Sequence, residues 1–283
     1  MDRTFMRWPG FRRKALTLSY DDGVVFDRKL IEIMLKHGLK GTFNINSGLF
    51  AKEAGGRRLT KDEAYELYTK SGMEVAVHGV RHLSLTNVPE ASAVADVIND
   101  RIALEEMFGT IVDGMAYAYG SYNDEVVEIL KSCGIKYART VEKTEKFDIP
   151  KDFLRMPATC HHKHPRLMEL AREFIEDEGG TSVYSKKPLL FYLWGHSYEF
   201  NDADNWEIIE DFSEYTGDRE DIWYATNGEI YDYVRAFDSL VYSADGFLVY
   251  NPTDKDVYIA YSDREYVIPA GKTVPVVPLN RKS

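Results

Sequence analysis

Strand-like and helix-like segments alternate from residue 14 to about residue 239, and no other feature restricts the fold as strongly. Lys14 to Tyr20 is apolar and β-favouring, and Asp27 to His37 then repeats apolar residues at helical spacing. Gly41 to Asn46, Met73 to Val77 and Met115 to Tyr119 read as further strands. Ile135 to Thr140, Phe153 to Ala158, the wholly apolar Leu189 to Trp194 and a short run at Ile222 to Ala225 continue the series. Helices are predicted between them. Thr60 and Glu63 make a capping box, Ala91 to Phe108 follows Pro89, and Asn123 is placed as an N-cap. Pro165 to Glu178 stops at Gly179-Gly180, and Trp206 to Tyr215 and Glu229 to Phe237 are helical. Seven or eight strand–helix units imply a parallel sheet that is closed, or nearly closed, into a barrel.

The pattern changes near Leu240. Leu240 to Ser243, Phe247 to Asn251, Asp256 to Tyr261, Glu265 to Pro269 and Thr273 to Val277 are short β-like runs, with a hairpin signal at Asp245-Gly246. The expected organisation is a barrel over residues 1–239 and a small antiparallel β appendage over 240–283. The appendage could cover a barrel surface, form a dimer contact or act as a carbohydrate-facing lid.

A chain of 283 residues can bury a full core without staples. At 44% apolar and 29% charged it is neither disordered nor a disulfide scaffold. A net charge of −11 argues against nucleic-acid binding, because an acidic surface repels phosphates. Cys133 and Cys160 lack zinc-finger spacing and suit a reducing compartment. No apolar run is long enough for a membrane span, and Met1 to Lys14 has no apolar signal core, so a cytoplasmic location is expected.

Chemistry-bearing residues gather where predicted strands end. Asp21-Asp22-Gly23 places two adjacent carboxylates directly after a buried strand, and their repulsion becomes tolerable beside a cation. His78 and His82 have the H-x₃-H spacing of metal ligands, also after a strand. Tyr119-Gly120 and Trp194-Gly195-His196 follow two further strands. Strand C-terminal ends are where barrel active sites assemble. The G-x-S-x-G elbow, H-E-x-x-H, the P-loop, C-x-x-C and G-x-G-x-x-G are all absent, which argues against serine hydrolases, zincins, P-loop enzymes and Rossmann dehydrogenases.

In this order, Asp-Asp-Gly, H-x₃-H, Tyr-x-Gly and a late His, the set resembles the NodB-homology polysaccharide deacetylases of the fourth carbohydrate esterase family, over about residues 14–240. The resemblance implies a distorted (β/α) barrel and a divalent metal that serves hydrolysis of N- or O-acetyl groups from a sugar. By position, Asp21 is then the general base, Asp22, His78 and His82 the metal ligands, and His196 the general acid. Tyr119 would offer a backbone N–H to the oxyanion. One carboxylate and two imidazoles suit Zn²⁺ first, with Co²⁺ and Ni²⁺ also fitting.

The chain departs from the family pattern at Ala116 and Ala118, where an Arg and a Pro are usual. Arg155, expected at the end of a strand, is assigned the missing role of steadying Asp21. The acidic residue that normally tunes the late His is not recognisable, so the partner of His196 stays open. Tyr119, Gly120, His161, His162 and Trp194 are candidates to line the substrate cleft. The expected substrate is a soluble acetylated sugar or oligosaccharide. A related amidohydrolase acting on a non-sugar C–N bond and a catalytically silent carbohydrate-binding barrel are the alternatives, and a homo-oligomer is left open.

Overall fold

The computed structural model describes residues 4–180, 186–261 and 264–276. Val277, the last residue of the final predicted strand, and the outermost residues of both expected domains lie outside the described residues. In chain order β1 (Thr4–Arg7) comes first, and the barrel region begins with β2 (Lys14–Asp21), α1 (Asp27–Lys36), β3 (Gly41–Ile45), α2 (Lys61–Ser71) and β4 (Glu74–Val77). It continues with α3 (Glu90–Phe108), β5 (Gly114–Ala116), α4 (Asp124–Ser132), β6 (Tyr137–Lys143), β7 (Met156–Ala158) and β8 (Cys160–His161). Then follow α5 (Leu167–Glu176), β9 (Leu189–Gly195), α6 (Ser197–Asp202), α7 (Glu207–Thr216), β10 (Ile222–Tyr224) and α8 (Asn227–Asp238).

The strands run parallel in the order β2-β3-β4-β5-β6-β7 on one side, and β2-β9-β8 on the other. β7 and β8 are separated only by Thr159, whose N–H donates to the Tyr192 carbonyl at 2.9 Å. The sheet therefore closes on itself, as the count of βα units implied. It is distorted at β2, where β10 and β3 share one edge: β10 pairs Lys14 to Leu16, and β3 pairs Leu18 to Asp21.

Strand alternation decides which side chains face the interior. Along β9, Phe191 and Leu193 pack outward against the helices, while Leu190, Tyr192 and Trp194 join the inner cluster with Ala15, Tyr137 and Met156. Along β2, Leu16, Leu18 and Tyr20 belong to the outer cluster. The opposite parity, Ala15, Thr17, Ser19 and Asp21, thus faces inward, and on β6 the same parity holds Tyr137 and Arg139.

Two predicted N-caps form, while α5 ends at Glu176 with Asp177 as its C-cap, short of the expected Gly179-Gly180 stop. Thr60 and Glu63 form a reciprocal capping box on α2, and Asn123 accepts from the Val126 N–H to start α4. Two further expectations need correction. Phe153 to Arg155 is a single 3₁₀ turn, with only Met156–Ala158 extended, because the Asp152 side chain caps the Leu154 N–H. A short helix, α6, stands directly after His196 where no helix was expected.

The C-terminal strands are β11 (Val241–Tyr242), β12 (Leu248–Tyr250), β13 (Val257–Tyr261), β14 (Arg264–Ile268) and β15 (Thr273–Pro275). They form two antiparallel three-stranded sheets, β11-β12-β15 and β1-β13-β14, around their own apolar cluster. The N-terminal strand β1 is thus paired with the C-terminal strands and not with the barrel, although its sequence lies at the other end of the chain. Among the described residues, no helix is long and apolar enough to cross a membrane.

Candidate active site

Asp21, Asp22, His78, His82, Tyr119 and His196 converge at the C-terminal ends of β2, β4, β5 and β9. Three of the loop residues adopt left-handed backbone, with φ of 88° at Asp22, 56° at His82 and 58° at Tyr119. Such conformations cost energy for residues other than glycine and persist only where surrounding contacts hold them.

Two imidazoles and one carboxylate make the first group. His78 lies in the interior, and its Nδ1 is 2.8 Å from the Ala116 carbonyl. A carbonyl can only accept, so Nδ1 carries the proton and Nε2 presents a lone pair. That Nε2 lies 3.1 Å from His82 Nε2. Burial and the neighbouring His78 push His82 down to about 4, against the pull of Asp22 and Asp21, so it is neutral at pH 7. Asp22 Oδ1 lies 4.0 Å from His82 Nε2. The three donor atoms lie within 4.8 Å of one another. A divalent cation fits them, since each imidazole offers an unprotonated nitrogen and the carboxylate supplies charge. Arg58 steadies Asp22 by donating to its carbonyl and, at 3.3 Å, to Oδ1.

Asp21 is buried beside this group. Its Oδ1 accepts from Asn44 Nδ2 at 2.8 Å, and its Oδ2 is ion-paired with Arg139 Nη2. His78 Nε2 and His196 Nε2 each approach Oδ2 at 3.8 Å. Burial alone would raise this carboxyl, but Arg139, His78 and His196 outweigh it and hold Asp21 at about 2. The Arg139 guanidinium is wholly buried and lies 4.3 Å from the centre of the Trp194 ring.

This overturns the assignment made to Arg155. Its guanidinium bonds Asp152 at 2.5 Å and Asp124 at 2.6 Å, outside the barrel. Because residues 153–155 turn instead of extending, Arg155 never enters the interior. Arg139 takes that place from the middle of β6.

The open partner of His196 is Glu199, three residues on, in the first turn of α6. Its Oε2 lies 3.6 Å from His196 Nδ1, 3.1 Å from His161 Nε2 and 3.1 Å from His162 Nε2. Lys163 Nζ holds Oε1 at 2.7 Å. Burial opposes ionisation of Glu199, but these neighbours hold it far below the usual carboxylate range. Burial likewise lowers His196, yet Glu199 and Asp21 overcome it and raise its pKa. His161 Nδ1 accepts from the Lys163 N–H at 3.1 Å, so its Nε2 is protonated and donates toward Glu199. This second cluster is therefore a carboxylate surrounded by three imidazoles and the Lys163 ammonium.

The remaining candidates separate by depth. Tyr119 is 71% exposed, and its ring centre lies 4.4 Å from that of His82, at the site mouth. Gly120 has φ 64°, and a Cβ there would collide with Val141. His161 is partly exposed, 4.6 Å ring to ring from Trp194. His162 is buried between Tyr20 and Phe200 and reaches the site only through Glu199.

Residues 10–138 match the family model for polysaccharide deacetylase. The first two of the following solved structures share the fold. A Mycobacterium smegmatis protein assigned to the polysaccharide deacetylases is 17% identical with TM-score 0.59, the alignment covering 82% of this chain and 93% of that one. The chitin deacetylase of the fungal pathogen Colletotrichum lindemuthianum is 18% identical with TM-score 0.51, covering 77% and 88%. A Streptococcus pyogenes deacetylase in complex with acetate is 21% identical with TM-score 0.45, covering 49% of this chain and 61% of that protein's length. No curated protein matches in sequence. Over residues 10–138 the chain is thus similar to the polysaccharide deacetylase family.

Proposed function

We propose that the protein is a metal-dependent deacetylase that hydrolyses N- or O-acetyl groups on a soluble sugar or oligosaccharide. The observation that carries this reading is the meeting of the His78 and His82 Nε2 atoms, 3.1 Å apart, with an ionised carboxylate on Asp21 beside them. Asp22, His78 and His82 would hold the metal, Zn²⁺ first and Co²⁺ or Ni²⁺ as alternatives. When bound, such an ion supplies Lewis-acid polarisation and a more acidic water.

The chain's own groups divide the proton work. Asp21, ionised throughout the neutral range, accepts the proton of the attacking water. His196, whose pKa Glu199 near Nδ1 and Asp21 near Nε2 raise, would donate from Nε2 to the departing nitrogen or oxygen. The backbone N–H of Tyr119 would stabilise the developing oxyanion. Arg139 orients Asp21, and Trp194 packs beneath Arg139 and beside the cleft.

The test is acetate release by the Zn²⁺-loaded protein from N-acetyl chito-oligosaccharides and O-acetyl xylo-oligosaccharides, with Asp21→Asn as control. Release that disappears in the variant supports the reading and separates amide from ester substrates. No release despite stoichiometric metal would move the assignment to an amidohydrolase of a non-sugar C–N bond. Glycan binding without any turnover would move it to a silent binding barrel.

A further inference from the structure

We propose that α3 holds the two-histidine loop in a metal-ready shape, with Asp100 and Asp96 as positioning residues for His78 and His82. This rests on the reading that Asp22, His78 and His82 bind the metal. Asp96 and Asp100 stand one helical turn apart on the face of α3 that also buries Ala93, Val97 and Leu104. A carboxylate on an apolar helix face is costly unless its oxygens are occupied. Here the occupants are the backbone of the ligand loop and of its neighbour.

Asp100 Oδ1 accepts from the Ser47 N–H at 2.7 Å, just after β3. Its Oδ2 accepts from the His78 N–H at 3.0 Å, a donor shared with the Ile45 carbonyl at 3.1 Å. Asp96 Oδ1 accepts from the Arg81 N–H at 3.1 Å and from Arg81 Nε at 3.3 Å. The Asp96 carbonyl accepts from the Val80 N–H at 3.2 Å. Gly79, at φ 81°, passes so close over Asp96 Oδ2 that a Cβ would collide with it. From the other side, Asn46 Nδ2 donates to the His78 and Gly79 carbonyls at 2.8 and 2.9 Å. Between His78 and the strained His82, the loop is thus laid across one helix and clamped by it. Groups that orient metal ligands typically change metal affinity by about 10–100-fold when removed.

The two carboxylates differ in a way that makes the idea testable. Asp100 uses both oxygens as acceptors, and Asn offers one. Asp96 Oδ2 has no hydrogen-bond partner, so Asn can turn its amide there and keep the bonds to Arg81. The experiment compares Zn²⁺ dissociation constants of full-length wild type, Asp100→Asn, Asp96→Asn and Glu74→Gln, by chelator competition, beside melting curves in EDTA. Glu74 is also a buried carboxylate, but at the opposite end of β4, bonded to Thr42, Tyr137 and the Gly228 N–H.

The expected result is Zn²⁺ binding weakened about tenfold in Asp100→Asn, unchanged in Asp96→Asn, and unchanged in Glu74→Gln whatever its melting temperature. A folded Asp100→Asn with wild-type affinity overturns the proposal, as does equal weakening in Glu74→Gln. If Asp100→Asn does not fold, Asp96→Ala decides, since losing both Arg81 bonds must also weaken Zn²⁺ binding. Wild type that binds no Zn²⁺ overturns the metal reading itself, and the proposal with it.

Discussion

Arg139, in the middle of β6, is ion-paired with Asp21 at the end of β2, across the inside of the barrel. Both side chains are buried, so neither charge has water as a substitute partner. Removing one member of a buried pair typically costs about 3–5 kcal/mol, because the other is left unpaired. Arg139→Met is expected to lose stability on that scale and to abolish turnover, while Arg155→Ala leaves both unchanged. Denaturant titration and acetate release on the two variants check this. Equal effects would show that the pair across the barrel does not steady the site.

Gly195→Ala is expected to damage the site without touching a catalytic group. The added Cβ would collide with the imidazole of His162, which is walled in by Tyr20 and Phe200. Overpacking of this kind costs about 1–3 kcal/mol. The displaced His162 would also release Glu199 from one of its contacts. A crystal structure and melting curve of the variant would show whether His196 moves.

Glu199→Gln should shift the pH dependence of kcat in one direction. Burial lowers His196, and Glu199 is the foremost group that raises it. Without that charge His196 loses its proton sooner, so the fall in activity on the alkaline side begins at lower pH. Zn²⁺ affinity should stay as in wild type. An alkaline limb that does not move would separate Glu199 from proton delivery.

Two buried carboxylates should give the apo-protein stability slopes of opposite sign. Asp21 is held at about 2 in the folded state, below its ordinary value of 3.8. Its contribution, about 2 kcal/mol, is present above the ordinary value and lost as pH falls through 2. Asp27 is pushed up to about 7 by burial, against the pull of Ser197, Tyr68 and the Val24 N–H. Between its ordinary value and 7 the folded state keeps the extra proton, so stability falls as pH rises. Urea titrations in EDTA should lose the acid slope in Asp21→Asn and the neutral slope in Asp27→Asn.

Much of the site was legible in the linear chain because its residues lie at strand ends that announce themselves. A buried strand followed by Asp21-Asp22-Gly23, or by His78 and His82, has a local pattern, and local periodicity places both at the same end of a parallel barrel. Arg139 and Glu199 had no such pattern. Arg139 sits in a strand where a charged residue has meaning only through a partner 118 positions away, the separation to Asp21. Glu199 depends on α6 turning immediately after His196, and six residues carry too little periodicity to predict a helix. Arg155 was misplaced for the related reason that Asp152 caps a tight turn where β-propensity suggested a strand.

The sequence by itself determined the βα alternation, the barrel it closes into, two helix N-caps and the set of candidate ligands, because all of these follow from hydrophobic period and short-range hydrogen bonding. Only the tertiary structure decided which charges neutralise which, Arg139 with Asp21 and Glu199 with His196, and which sheet β1 joins, that of the C-terminal strands and not the barrel. Burial makes those pairings obligatory, since an unpaired charge or strand edge removed from water is costly. It does not encode them locally, because the partner is selected by the parity of two distant strands and the closure of the sheet between them.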